Sequence, residues 1–136
     1  MEQTEYRALF GARLQDWIDA GHGSCVLKIP EVRQIVESTL RHFDGIRYTL
    51  YAYVVMPNHV HVLFMPAEGF EIANILKSWK GYSGLAINRR LGLTGPLWQK
   101  ESWDTLVRSV EQFNAFRAYI RKNSATLAYD AYRVTE

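Results

Sequence analysis

The 136-residue sequence contains one cysteine, Cys25, and no histidine after His61. A lone cysteine excludes a disulfide scaffold and a cysteine-rich zinc site, and it suits a reducing cytoplasm, where we expect the protein. No apolar run is long enough to span a bilayer, and the first residues do not have the pattern of a signal peptide. Because repeats and low-complexity segments are also missing, we expect a single domain over residues 1–136.

Charge is unevenly distributed along the chain. Residues 1–71 hold 6 Lys or Arg and 9 Asp or Glu, whereas residues 72–136 hold 10 and 5. The basic half interleaves cations with aromatic rings, which suits a nucleic acid because rings stack on bases while cations bind phosphates. Solvation of helices explains the same charges about equally well. The predicted DNA-binding residues are Lys77, Lys80, Tyr82, Arg89, Arg90, Trp98, Gln99 and Lys100, with Trp79 a weaker candidate for stacking.

Hydrophobic periodicity predicts eight elements of secondary structure in the order α-β-α-β-β-α-β-α. The middle of this order is a βαββαβ pattern, which predicts an α+β fold with a ferredoxin-like antiparallel sheet packed against helices. The predicted helices cover residues 2–20, 30–43, 71–91 and 109–123, the predicted strands cover 25–28, 46–56, 59–65 and 102–108, and the tail 124–136 is expected to be loosely ordered or a short helix.

The most informative segment is Met56-Pro57-Asn58-His59-Val60-His61. Side chains alternate along a strand, so His59 and His61 should point to one face while Val60 points to the other. Two adjacent imidazoles can bind a metal ion, although histidines on a sheet are more often simply packed or hydrogen-bonded. A third ligand from the C-terminal half would have to be a carboxylate or an amide.

A second pair of polar residues lies near the C-terminus. Tyr119 and Asn123 are four residues apart on one predicted helix and therefore share a face. If this helix covers the histidine strand, Asn123 could complete a divalent metal site and Tyr119 could attack a bound phosphate. The alternative, favoured by spacing alone, is a core tyrosine followed by an asparagine helix cap.

Several segments together resemble the REP-associated tyrosine transposases, which are relatives of the small insertion-sequence transposases. These are residues 52–63 around the histidine pair, Leu76-Lys-Ser-Trp-Lys-Gly-Tyr, Ile87-Asn-Arg-Arg, Thr94-Gly-Pro-Leu-Trp-Gln-Lys-Glu and Tyr119-Ile-Arg-Lys-Asn123. The resemblance covers roughly residues 20–128.

The resemblance implies a function. His59, His61 and Asn123 would bind Mg²⁺ or Mn²⁺, and Tyr119 would attack single-stranded or hairpin DNA to form a 5′-phosphotyrosine and a free 3′-OH, without ATP. Two other functions stay open at this point: a decayed relative that binds structured single-stranded nucleic acid without cutting it, and an unrelated hydrolase with a His-x-His metal site.

The sequence departs from the family at its N-terminus, where a helix is predicted instead of the usual central first strand. We therefore expect a gap or an exposed edge in the sheet, which would pair with another strand. This expectation predicts a homodimer, with the helix of residues 2–20 covering the sheet or the partner.

Overall fold

The computed structural model describes residues 9–15, 26–57, 59–98, 103–122 and 128–130. Its strands are β1 (Phe10–Gln15), β2 (Tyr48–Val55), β3 (His59–Pro66), β4 (Trp103–Leu106) and β5 (Ala128–Asp130), and its helices are α1 (Pro30–His42), α2 (Ile72–Leu91) and α3 (Val110–Lys122). No helix within these ranges is both apolar enough and long enough to cross a membrane.

The five strands form one sheet in the order β4-β1-β3-β2-β5, and every neighbouring pair is antiparallel. The first four of these, together with α1 and α2, make the βαββαβ order of a ferredoxin-like fold. The predicted α+β class and the predicted hairpin of residues 46–56 and 59–65 are thus confirmed.

Helices cover both faces of the sheet. On one face α1 and α2 pack on alternate strand residues in the larger core, which includes Val60, Val62 and Phe64 of β3. On the other face α3 packs through Ile120 on a smaller core that contains Leu63. Because side chains alternate along β3, His59 and His61 share the α3 face with Leu63.

A bulge in β2 changes which of its residues face each core. The register with β3 shifts between Leu50 and Ala52, so Leu50 and Tyr53 both reach the larger core. Ala52 and Val54 reach the smaller one. An extra residue at such a bulge resets the alternation of side chains, so even-numbered residues face the larger core before the bulge and odd-numbered residues face it afterwards.

The N-terminal prediction was wrong over the residues that the structure describes. Residues 10–15 form a strand instead of part of a helix, and β1 lies in the sheet between β3 and β4. Ala12 and Leu14 are buried in the larger core, as period-two alternation requires. The segment also fits a helical period, so six residues could not discriminate, and its glycine disfavours a helix. The rest of the predicted helix 2–20 lies outside the described residues.

Two smaller predictions were also wrong. Residues 26–28 form a short 3-10 helix before α1 rather than a strand. Within the predicted tail 124–136, residues 128–130 form β5, which pairs with Ala52, Tyr53 and Val54 of β2, and the rest of the tail lies outside the described residues. A three-residue strand carries too little pattern to be recognised in the sequence, and its pairing with β2 is what orders it.

The gap in the sheet at which a homodimer was expected to form is not present among the described strands. The place of the supposedly missing first strand is filled by β1, and the edges of the sheet are β4 and β5. The homodimer itself stays a prediction. Light scattering at micromolar concentration checks it, and a 15.7 kDa species would contradict it.

Candidate active site

The histidine pair sits on a central strand whose geometry is set by both neighbours. A hydrogen bond of 2.8 Å from Met56 N–H to the His59 carbonyl closes the hairpin. In the register, His61 lies between Val54 of β2 and Arg13 of β1. A strand paired on both sides cannot slip by one residue without turning both imidazoles into the opposite core.

Helix α3 begins at a capping box formed by Ser109 and Gln112. The backbone N–H of Gln112 donates to Ser109 Oγ at 3.0 Å, and Gln112 Oε1 accepts from the Arg108 N–H at 2.7 Å. These bonds satisfy backbone donors that a helix leaves unpaired at its N-terminus. The helix then runs to Lys122 across the sheet, with Ile120 buried against it.

The structure brings Tyr119 to the histidine pair. The ring centroids of His59 and His61 are 4.9 Å apart, and those of His61 and Tyr119 are 4.7 Å apart, both in edge-to-face orientation. Tyr119 is 40% exposed, so it is not the core tyrosine of the alternative interpretation. Its hydroxyl group is accessible to a substrate that approaches from solvent, while its ring stays in contact with His61.

Burial keeps both imidazoles neutral near pH 7. Burial lowers the pKa of His61 to about 4, with the charges of His59 and Arg13 as smaller causes. Burial also lowers the pKa of His59, followed by the charge of Arg13. A neutral imidazole has a lone pair for a metal ion, whereas an imidazolium has none, so both side chains are in the protonation state that a metal ligand requires.

The third predicted ligand, Asn123, lies outside the described residues. Within the described ranges no three His, Cys, Asp or Glu side chains cluster as a metal site. The two imidazoles fit a divalent ion that accepts nitrogen, such as Mn²⁺, provided that oxygen ligands complete the shell. Water, a phosphate and an amide can each supply such oxygens.

Arg13 was not among the predicted site residues, because its segment was predicted to be a helix. Arg13 lies opposite His61 in the register of β1 and β3, on an exposed position. Its charge lowers the pKa of both histidines, which places a cation beside the pair. A guanidinium here can attract a phosphate to the site. Only the pairing of β1 with β3 reveals this neighbour.

Gly11 allows α3 to approach the sheet closely. A Cβ atom at Gly11 would lie 2.6 Å from Cε1 and Cζ of the Phe116 ring, which is far inside van der Waals contact. Phe116 is three residues before Tyr119 on the same helix, so the two side chains share a face. The absence of a side chain at Gly11 therefore sets the height at which α3 carries Tyr119 over β3.

We expect Gly11→Ala to lower the free energy of unfolding by about 1–3 kcal/mol, the usual effect of overpacking a core. Gly81→Ala is the matched control, because a Cβ at Gly81 meets nothing within 4 Å. As a helical glycine, it should gain about 0.5–1 kcal/mol from the substitution. Urea denaturation measures both. Restoration of stability in Gly11→Ala/Phe116→Leu would support the contact, and equal stability of the two single variants would contradict it.

A groove of about 1000 Å³ lies along α2 and the loop after it. Gly92 ends the helix in the left-handed conformation (φ 70°), and Asn88 Nδ2 donates to the Gly95 carbonyl at 2.7 Å, which holds the loop against the helix. Three of the predicted DNA-binding cations line this groove: Lys77, Lys80 and Arg89.

The other predicted DNA-binding residues differ in their surroundings. Trp98 is only 6% exposed and its indole N–H donates to Ser83 Oγ at 2.9 Å, so the prediction that it stacks on a base was wrong. Trp79 is also a core residue, since it is 3% exposed and its indole N–H donates to Tyr48 Oη at 3.0 Å.

Arg90 pairs with Glu31 of α1 at 3.2 Å, away from the groove. Tyr82 is 62% exposed and stacks on His42. Gln99 and Lys100 lie outside the described residues.

The sheet order and the helices on its two faces define an α+β protein of the ferredoxin-like class. Residues 27–123 match the family described as "Transposase IS200 like". This match covers most of the sequence, so the chain belongs to the IS200-like transposase family, as the resemblance predicted. No curated protein matches the sequence.

Two solved structures are similar to this chain in fold. A REP-associated tyrosine transposase, solved bound to a REP hairpin, has a TM-score of 0.61 and 17% identity over 90% of this chain and 72% of its own. A protein of Deinococcus radiodurans, described as a candidate transposase, has a TM-score of 0.62 and 20% identity over 93% of this chain and 98% of its own.

Proposed function

We propose that this transposase cleaves and rejoins single-stranded DNA through Tyr119, with a divalent metal ion held by His59, His61 and Asn123. The observation that carries this proposal is the 4.7 Å approach of Tyr119 to His61 on one face of the sheet. A half-exposed phenol beside two neutral imidazoles combines a nucleophile with metal ligands, which is what attack on a phosphodiester requires.

The reaction exchanges one phosphodiester for another. Tyr119 Oη forms a bond to phosphorus, the bond from phosphorus to the 3′ oxygen breaks, and a 5′-phosphotyrosine remains. Water accepts the phenol proton, and the 3′ oxygen takes a proton from water. When bound, Mg²⁺ or Mn²⁺ would polarise the phosphate and neutralise its charge. Arg13 adds a second positive charge from β1. No nucleotide cofactor is needed, because the phosphodiester that breaks is replaced by another of similar energy.

A nicking assay tests this function directly. The wild-type protein is incubated with an end-labelled DNA hairpin that carries single-stranded flanks, with Mg²⁺, with Mn²⁺ or with EDTA. We expect a free 3′-OH fragment and a covalent protein–DNA adduct with either metal and neither product with EDTA. Cleavage without an adduct would indicate a hydrolase, and binding without cleavage would indicate a protein that only binds the DNA.

We propose that the groove of Lys77, Lys80 and Arg89 binds the phosphates of the hairpin stem. Two exposed leucines of the groove, Leu85 and Leu93, can pack against sugars between those phosphates. The groove lies on α2 and its loop, whereas Tyr119 projects from α3 on the other face of the sheet. A hairpin stem and its single-stranded flank would therefore contact separate surfaces, and Tyr82, beside neither, is a candidate for stacking on a flanking base.

We expect Lys77→Ala/Lys80→Ala/Arg89→Ala to weaken DNA binding for all sequences. Each lost phosphate contact should flatten the slope of log K against log salt by about 0.7–0.9, and three should flatten it by roughly 2–3. Arg90→Ala is the control, since Arg90 is adjacent in sequence but pairs with Glu31. Fluorescence anisotropy between low and moderate salt measures both slopes. An unchanged slope in the triple variant would exclude the groove.

The non-cleaving alternative has lost its main support. Loss of the usual first strand would favour a protein that cannot cleave DNA, but β1 is present and carries Arg13 beside the histidines. An unrelated hydrolase is excluded by membership of the transposase family. No described feature favours a second function over strand transfer.

A further inference from the structure

A second cavity adjoins the proposed catalytic residues. It has a volume of about 290 Å³ and is lined by His61, Gln112, Ala115, Phe116 and Tyr119. Four of these residues come from successive turns of α3, with spacings of three and four that place them on one face. The lining includes His61, a proposed metal ligand, and Tyr119, the proposed nucleophile. The proposed reaction does not use Gln112, Ala115 or Phe116.

The chemistry of the walls selects a flat, largely apolar ligand with polar edges. Phe116, Tyr119 and His61 present aromatic rings, and Ala115 leaves space between turns of the helix. The Gln112 side chain is oriented by a hydrogen bond in which Oε1 accepts from the Arg108 N–H. The Nε2 atom of the same amide carries two hydrogens that can be donated to a ligand. Aromatic walls with one amide are the usual surroundings of a base taken out of a stack.

We propose that this cavity holds one nucleobase of the DNA, that of a nucleotide next to the phosphate attacked by Tyr119. The inference rests on the proposed function, because the lining tyrosine and histidine are the groups that would act on that phosphate. A base seated here anchors its own sugar and phosphate beside Tyr119 Oη. The cavity would thus select the position of the nick and favour unpaired DNA, since a base inside a duplex cannot enter it.

Abasic nucleotides and a filled cavity test the proposal together. The nick made by the wild-type protein is first mapped, and each of the two flanking nucleotides is then replaced by an abasic one. Ala115→Leu fills the cavity from an exposed helical position, so folding should be preserved. Ala118→Leu is the matched control, an equally exposed alanine on the same helix that does not line the cavity.

One abasic substrate should be nicked at least about tenfold more slowly by the wild-type protein, in line with the loss of one base–aromatic stack. Ala115→Leu should slow nicking of the intact substrate by a similar factor through a higher KM, and should leave nicking of that abasic substrate unchanged. Ala118→Leu should behave as wild type on both. Equal nicking of intact and abasic DNA by the wild-type protein, or equal activity of the two leucine variants, would overturn the proposal while leaving the tyrosine chemistry intact.

Binding supplies a readout that does not require cleavage. In EDTA, anisotropy compares the intact hairpin with hairpins made abasic at single positions along the flanks. Weaker binding at one position for wild type and Ala118→Leu, but not for Ala115→Leu, supports the cavity. No position-dependent loss contradicts it. If the wild-type protein nicks no hairpin, the proposed function fails, and this binding result alone decides the cavity.

Discussion

Tyr119→Phe should abolish nicking and the covalent adduct while the protein still folds and binds DNA. The substitution removes only the hydroxyl oxygen, which is the atom proposed to attack phosphorus, so the residual rate should lie below detection. The phenylalanine ring can keep the edge-to-face contact with His61. Adduct formation on denaturing gels measures the chemistry, and anisotropy measures binding separately.

Tyr82→Phe is the matched control for this result. Tyr82 is the more exposed of the two tyrosines, at 62% against 40%, and it stacks on His42, whereas Tyr119 contacts His61. Its phenylalanine variant should nick at the parental rate, since the ring is kept. If Tyr119→Phe nicks as fast as Tyr82→Phe, the nucleophile is another residue.

His61→Ala should lower nicking by about 10³-fold or more, because a bound metal supplies several kcal/mol of stabilisation to the transition state and each 1.36 kcal/mol is a factor of ten. His59→Ala should have a similar effect, and the double variant should lose little more, since the two imidazoles would act on one ion. Calorimetric titration with Mn²⁺ gives a readout independent of activity and should show no binding in either variant.

His42→Ala controls for the loss of an imidazole elsewhere in the protein. His42 ends α1 and contacts Phe43 and Tyr82, so its variant should bind Mn²⁺ as the parent does. Mn²⁺ binding should weaken as the pH falls, because protonation of an imidazole removes the lone pair that binds the ion. The pKa of His61 is about 4, so protonation of His61 should leave the binding unchanged between pH 7 and pH 6. Unchanged Mn²⁺ binding in His61→Ala would show that the ion binds elsewhere.

Local patterns in the sequence predicted the parts of the site that depend on neighbours along the chain. The alternation of a strand places His59 and His61 on one face whatever the rest of the fold does. Likewise, a serine followed three residues later by a glutamine, as at Ser109 and Gln112, is a local pattern typical of a helix start. Pro30 opens α1 as predicted, because its fixed φ and missing N–H suit a first turn.

Long-range pairing decided what these local patterns could not. The βαββαβ order was predicted with residues 25–28 as its first strand, whereas the strand is formed by residues 10–15. Six residues satisfy a helical and a strand period equally, and only ladders with β3 and β4 on both sides select the strand. The same pairing brings Arg13 opposite His61.

Packing between layers decided the remaining features of the site. Trp98 lies in a basic segment and was predicted to stack on a base, but its ring is buried in the core between the sheet and α2. Burying a large aromatic side chain stabilises the fold more than exposing it. The meeting of Tyr119 with His61 depends on how closely α3 approaches the sheet, and Gly11 sets that distance through Phe116. Residue types and spacing along the chain thus determined that His59 and His61 share a face and that one helix carries Tyr119, whereas contacts between distant segments determined that these residues meet and that Arg13 joins them.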